Sequence, residues 1–268
     1  MVICKPCLLG GSPTHFFVMN KATSQRSILH VYAHPDDESF GNPATFTLYA
    51  NQGVRTGLLT LTRGEAGLTN GVCRPDELGD VREKELKDAC RVLGVKDMTL
   101  WNYPDGGLKS IDDSRILPRI EEFIRNFSPD VVVTYGQDGV TGHPDHIAVG
   151  GWATKAFHRL VRKNPDAAPK RLYHRISPVK RRGLYNRSDL VYRDDYTTII
   201  DGRSYPHARL KAHACHRSQK QVTDYTQPGV FEAGLVDYYV RQYPVWRGGP
   251  IEADLFGDSH HTDETNLP

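Results

Sequence analysis

The sequence contains no apolar stretch near the roughly 20 residues that a membrane helix requires, so we predict no transmembrane segment. It has no G-x-S-x-G motif, which weighs against a serine hydrolase. The formal net charge is +2, so no excess of one sign indicates a nucleic acid or a membrane surface as partner. With 25% charged and 38% hydrophobic residues, the composition is that of an ordinary soluble globular protein.

Cysteine is also scarce: the chain has five, and only Cys4 and Cys7 form a C-x-x-C pair. An odd number of scattered cysteines is typical of a reducing compartment, so we predict a cytoplasmic protein. Residues 1–26 lack the apolar core and cleavage site of a signal peptide, and we interpret them as a disordered leader. We predict one domain over residues 27–253 and a flexible tail over residues 254–268.

Hydrophobic periodicity predicts strands and helices in alternation: strands at 28–32, 56–62, 98–101 and 131–135, and helices at 43–52, 80–93, 114–127 and 147–162. Pro118 fits its helix only within the first turn. Farther along the chain we predict short strands at 171–176 and 197–200, a helix at 205–216 and a final edge strand within 231–243. Repeated βα units with apolar strands indicate a parallel sheet covered on both faces. We therefore predict an α/β fold, a Rossmann-like three-layer sandwich with a mostly parallel sheet and a C-terminal extension.

Two polar clusters follow predicted strands. His34-Pro35-Asp36-Asp37-Glu38 comes directly after the first strand, and Thr141-Gly142-His143-Pro144-Asp145-His146 follows the strand at 131–135. Unpaired carboxylates at the end of a strand are unfavourable, and a divalent cation would remove that cost. Ligands bind at the carboxyl ends of strands in open α/β sheets, so the two clusters predict one metal site.

His34, His146 and one aspartate of the first cluster would supply two imidazoles and a carboxylate. Catalytic zinc commonly keeps three protein ligands and an open position, and non-haem Fe(II) accepts the same set, so residue types leave Zn²⁺ and Fe²⁺ open. A spare carboxylate of the first cluster could accept a proton from water. His143 could donate to a developing oxyanion or to the leaving group.

The paired His-Pro-Asp signatures resemble the LmbE/PIG-L family of zinc-dependent N-acetylglucosaminyl deacetylases, over about residues 27–220. The likeness extends to Thr62-Arg63-Gly64-Glu65-Ala66-Gly67, to the Pro104-Asp105-Gly106 turn and to His216-Arg217-Ser218-Gln219. The resemblance implies that the metal ligands are His34, Asp37 and His146, and that Asp36 is the general base. It implies that His143 stabilises the oxyanion or protonates the amine, with Asp145 orienting it and Glu38 in support. Some relatives carry a tyrosine acid where this chain has Thr141.

The resemblance implies that Arg82 and Asp105 contact the sugar, and we add Arg63 and His216 as candidate substrate-binding residues. Each has a local alternative: an ion pair on the helix surface for Arg82, turn chemistry for Asp105, a pair with Glu65 for Arg63 and a helix cap for His216.

The leading functional hypothesis is removal of the N-acetyl group from an N-acetylglucosamine-type conjugate, a small-molecule partner, with no nucleic acid involved. The alternative within the family is an amidase acting on a larger amide such as a thiol conjugate. A nucleotide-binding module without catalysis and an Fe(II) oxygenase are alternatives from other classes, although no G-x-G-x-x-G follows the first strand. A homo-oligomer is left open.

Overall fold

The computed structural model describes residues 25–178, 191–219 and 229–257. Its strands, in chain order, are β1 (Ser27–Tyr32), β2 (Arg55–Thr62), β3 (Asp97–Tyr103), β4 (Val131–Tyr135), β5 (Arg171–Pro178), β6 (Tyr192–Arg193), β7 (Thr198–Asp201) and β8 (Val236–Tyr243). The helices are α1 (Asp37–Gly41), α2 (Pro43–Asn51), α3 (Leu78–Leu93), α4 (Asp113–Phe127), α5 (Pro144–Lys163), α6 (Ala208–Cys215) and α7 (Val230–Ala233). None of the helices in these ranges is long and apolar enough to cross a membrane.

One sheet runs in the order β3-β2-β1-β4-β5-β8-β7, with β6 paired to β5. The strands from β3 to β5 are all parallel, whereas β8 is antiparallel to both of its neighbours. The chain moves outward in one direction from β1 to β3 and in the other from β4 to β5. Because such crossovers are right-handed, the connecting helices cover opposite faces of the sheet. The predicted α/β sandwich with a mostly parallel sheet is confirmed.

Apolar stripes hold the helices to the sheet. All six residues of β1 are buried, as expected for a central parallel strand. Helix α4 buries Ile116, Leu117, Ile120 and Ile124 along one face. Pro118 is the sixth residue of this helix and lies past the first turn, to which we had expected it to be confined.

The prediction of a final edge strand is wrong. Strand β8 lies between β5 and β7, and its first five residues, 236–240, are all buried. A run of consecutive buried residues is typical of an interior strand.

The predicted tail boundary also moves. Leu255 is fully buried, and its backbone N–H donates to the Tyr49 hydroxyl at 2.7 Å. That hydroxyl in turn donates to Asp254 at 2.7 Å, so packing continues past the expected boundary. Residues 258–268, and the part of the predicted leader up to residue 24, lie outside the described residues.

Candidate active site

Four loops meet at the carboxyl edge of the parallel strands. Residues 34–38 follow β1, residues 63–67 follow β2, residues 104–107 follow β3 and residues 136–146 follow β4. The strand order reverses between β1 and β4, which are hydrogen-bonded neighbours. Ligand sites of open α/β sheets lie at this switch point.

The three predicted metal ligands lie in mutual contact. His34 Nδ1 and His146 Nε2 are 3.1 Å apart, and Asp37 oxygens lie 3.4 Å from His146 Nε2 and 3.7 Å from His34 Nδ1. Tetrahedral zinc with bonds of about 2.0–2.1 Å would separate its donor atoms by about 3.4 Å. The residues present therefore fit a small divalent cation.

His146 is oriented by a hydrogen bond to the backbone. Its Nδ1–H donates to the Gly139 carbonyl at 3.0 Å, which leaves the Nε2 lone pair directed at the other ligands, as metal-binding histidines require. Thr141, where some relatives carry a tyrosine, lies 3.3 Å from the same nitrogen. Burial lowers the pKa of His146 to about 4, so the imidazole is neutral and able to coordinate.

Tyr135 is a residue that sequence reasoning missed. Its ring stacks on His146 with centroids 4.4 Å apart, while its buried hydroxyl accepts from the Ala33 N–H at 3.0 Å and hydrogen-bonds to Asp37. One side chain thus contacts ligands from both clusters. The available signal was a tyrosine as the last residue of an apolar strand that precedes a histidine cluster.

His34 points its second nitrogen at two carboxylates. Nε2 lies 3.1 Å from Asp105 Oδ1 and 3.4 Å from Asp145 Oδ2. Burial disfavours the imidazolium, but these carboxylates and Asp37 outweigh it and raise the pKa of His34 to about 10. The same carboxylates that stabilise the protonated imidazole would also stabilise a bound cation. Asp105, predicted as a substrate contact, therefore also acts as a partner of a ligand.

The expected orientation of His143 by the Asp145 carboxylate is wrong. The Asp145 carboxylate instead accepts the backbone N–H groups of Gly106 at 2.7 Å and Leu108 at 3.0 Å, which ties the turn after β3 to helix α5. His143 is contacted by the Asp145 backbone, whose N–H donates to Nδ1 at 3.2 Å as an N-terminal cap of α5. In the neutral imidazole the remaining nitrogen, Nε2, then carries the proton.

Asp36 is held in a strained conformation beside the ligands. Its φ is 128°, a region that side-chain-bearing residues rarely adopt. The buried Arg82 donates to Asp36 Oδ2 at 3.0 Å and to the carbonyls of Pro35 and Gly64. Gly64 has no room for a side chain, because a Cβ would lie 2.2 Å from the guanidinium. Burial raises the pKa of Asp36 to about 6, against the opposing effect of Arg82.

His216 does not line the cleft, contrary to the prediction of a substrate contact. It is fully buried, and its Nε2 lies 2.6 Å from Oε1 of the equally buried Glu38. Burial raises the pKa of the Glu38 carboxyl, but the His216 imidazole outweighs that effect and holds it below its usual range.

Arg63 is likewise directed elsewhere. Its guanidinium pairs with Asp80 and with Glu83, 2.7 Å away, on α3, and it is not among the lining residues of the cleft. The local alternative, a pair with Glu65, does not form either: a Glu65 oxygen accepts from the Asp105 N–H at 2.9 Å.

A cleft of ≈ 320 Å³ lies at this site, and of the three predicted ligands His34 contributes to its lining. That volume suits a ligand of monosaccharide size with its substituents outside. Five predicted residues and one that we had not assigned contribute to its lining: His34, Asp36, Arg82, Asp105, His143 and Gln219.

Fold and site together define an α/β protein with a His-Asp-His metal-type site at the switch point of a parallel sheet. The family model described as PIG-L: GlcNAc-PI de-N-acetylase matches residues 29–157. A 1D-myo-inositol 2-acetamido-2-deoxy-alpha-D-glucopyranoside deacetylase 2 of Saccharopolyspora erythraea is 31% identical, over 88% of this chain and 97% of its own. A probable N-acetyl-alpha-D-glucosaminyl L-malate deacetylase 2 of Bacillus cereus is 29% identical, over 74% and 85%. The N,N'-diacetylchitobiose deacetylase of Pyrococcus horikoshii shares the fold, with a TM-score of 0.62 and 21% identity over 85% and 87% of the two chains. The chain belongs to the PIG-L family.

Proposed function

We propose that the chain is a metal-dependent hydrolase that removes the N-acetyl group from a small N-acetylglucosamine conjugate. The observation that carries the proposal is the convergence of the His34, Asp37 and His146 donor atoms, 3.1–3.7 Å apart, beside the cleft. The names of the two sequence relatives support the substrate class, since both specify deacetylation of a glucosaminyl conjugate.

His34, Asp37 and His146 would hold the ion, with Zn²⁺ favoured and Fe²⁺ compatible with the same donors. When bound, the ion supplies Lewis acidity toward the acetamide carbonyl and makes water acidic enough to attack near neutral pH.

The chain's own side chains would handle the protons. Asp36 accepts the proton that the attacking water loses, and its raised pKa of about 6 suits an exchange near neutrality. His143 is exposed at the cleft, and its Nε2–H can donate a hydrogen bond to the oxyanion or pass its proton to the departing nitrogen. The proton that Asp36 took from water is then transferred to the departing nitrogen or back to His143, so the amine leaves protonated. The carbon–oxygen bond forms, the carbon–nitrogen bond breaks, and acetate and a free amine result.

The test is release of free amine from a panel of glucosamine conjugates carrying acetyl or bulkier acyl groups, with metal content measured alongside. We expect acetyl conjugates to be hydrolysed by the metal-loaded protein and not after chelation. Faster hydrolysis of the bulky amides would favour the amidase alternative, and no hydrolysis across the panel would refute the proposal.

Asp36→Asn tests the assigned base. Asparagine has the same size and shape as aspartate but cannot take up the proton, so we expect retained metal and a kcat lower by about 100- to 10,000-fold. Asp112→Asn, the same change at the N-cap of α4, is the matched control and should keep full activity. Full activity of Asp36→Asn would contradict the role of Asp36.

A cytoplasmic location stays a prediction. Its support is that the three cysteines in the described ranges, Cys73, Cys90 and Cys215, are all free of disulfides.

A further inference from the structure

The buried pair of Glu38 and His216 has no direct part in the proposed chemistry. Both residues are fully buried and neither lines the cleft, whereas Asp36 does. A buried carboxylate and a buried imidazole are costly to keep unless their contacts serve the structure around them. Those contacts lead to the backbone of Asp36.

Glu38 uses both carboxylate oxygens. Oε2 accepts the backbone N–H of Asp36 at 3.0 Å, and Oε1 accepts from His216 Nε2 and from the Ser39 hydroxyl, each at 2.6 Å. The accepted N–H belongs to the residue whose φ is 128°. Strained backbone persists only where surrounding contacts over-determine it, and this hydrogen bond is one of them.

The position of His216 is fixed by hydrogen bonds between its own segment and helix α3. It follows α6, and two residues later Ser218 donates through its N–H and its hydroxyl to Glu85 on α3, at 2.9 and 2.6 Å. His216 Nε2 is therefore delivered to Glu38 by a segment that is anchored independently of the loop after β1.

We propose that His216 and Glu38 form a positioning pair that holds Asp36 in the conformation presenting its carboxylate to the cleft. The pair acts through Asp36 and touches no reacting atom. The inference rests on the proposed function only in that Asp36 is taken as the base. It gives a role to the matching segment His216-Arg217-Ser218-Gln219, whose histidine does not reach the cleft.

The test compares His216→Gln with His216→Asn. A glutamine amide can place its nitrogen where Nε2 lies and still donate to Glu38, whereas the shorter asparagine amide cannot reach it. We expect His216→Gln to stay near the wild-type kcat. We expect His216→Asn to lose about 100-fold in kcat, the cost of misplacing a reacting group by about 1 Å, with KM and metal content unchanged. His207→Asn, an exposed histidine just before α6, is the control and should change nothing.

A double-mutant cycle separates positioning from general damage. If His216 acts through Asp36, His216→Asn should cost nothing further in an Asp36→Asn background, because the group that it positions is already inactive. Equal losses in both backgrounds, a loss of metal, or a wild-type kcat for His216→Asn would overturn the inference while leaving the deacetylase proposal intact. Full activity of Asp36→Asn alone would instead contradict the base assignment.

Discussion

The contact of Tyr135 with two of the proposed metal ligands predicts that Tyr135→Phe weakens metal binding without unfolding the protein. The phenylalanine ring keeps the stack on His146, at 4.4 Å and 3° between planes. The lost hydroxyl removes the hydrogen bond to Asp37 and the acceptor of the Ala33 N–H. The Asp37 carboxylate loses one hydrogen bond but keeps the one from the His34 backbone N–H at 2.8 Å, and the Ala33 N–H loses its acceptor.

The magnitude follows from these two contacts. A hydrogen bond to a charged group contributes about 1.5–3 kcal/mol, and an unsatisfied buried N–H costs about 1–3 kcal/mol. Loss of an outer partner of a metal ligand typically weakens metal affinity by about 10- to 100-fold. We expect Tyr135→Phe to raise the zinc dissociation constant by that factor and to lower the free energy of unfolding by about 1–3 kcal/mol.

Competition for Zn²⁺ against a chromophoric chelator, paired with urea unfolding of the metal-free protein, measures both quantities. Tyr239→Phe is the matched control. Tyr239 is also fully buried, but its hydroxyl bonds to Thr45 and to Asn42 rather than to a ligand. It should lose stability and keep its zinc affinity. Equal zinc affinities of the two variants would refute the reasoning.

Two further predictions concern groups outside the cleft. Arg63→Ala should leave kcat/KM for amine release unchanged and lower the free energy of unfolding by about 1 kcal/mol or less, because the ion pairs of Arg63 with Asp80 and Glu83 are partly exposed to solvent. A large loss of activity would return Arg63 to the substrate site. Burial lowers the pKa of His30 to about 3 and of His174 to about 4. Below the ordinary histidine pKa of 6.5 the unfolded chain takes up protons that the folded chain excludes. As the pH is lowered, the free energy of unfolding should therefore decrease by up to about 1.4 kcal/mol per pH unit for each histidine. Urea unfolding between about pH 7 and about pH 4 checks this, and a dependence that His174→Gln leaves equally steep would contradict it.

The convergence of the two polar clusters could be predicted from the βα pattern, whereas the choice of Asp37 among the carboxylates of the first cluster came from the family resemblance. His34 and Asp37 follow one apolar strand and His146 follows another, and parallel strands bring their carboxyl ends to one edge. Short donor distances then require only that β1 and β4 be neighbours, which the βα pattern allows.

The roles of the surrounding charged residues could not be predicted in the same way, because they depend on where each side chain points. Asp145 lies next to a ligand in sequence, yet its carboxylate bonds to backbone across the cleft edge. Arg63 had a better partner in sequence than Glu65, since Asp80 and Glu83 are three positions apart and share a face of α3. His216 met Glu38 only through the packing of α6, which no local pattern encodes.

The position of β8 in the sheet was hidden for a related reason. Its sequence, VDYYVRQY, mixes aromatic, apolar and polar residues in a way that does not distinguish an edge strand from an interior one, and the pairing with β7 places it inside the sheet. The positions of the antiparallel strands β7 and β8 in the sheet are set by long-range packing rather than by the repeat of βα units.

Each proposed metal ligand is oriented by a group from another part of the sheet edge. Asp105, after β3, receives the Nε2–H of His34, and Tyr135, at the end of β4, contacts both Asp37 and His146. The geometry of the proposed ligands is therefore a property of several loops at once. Changes in the loops after β3 and β4 should alter metal affinity even where they touch no ligand.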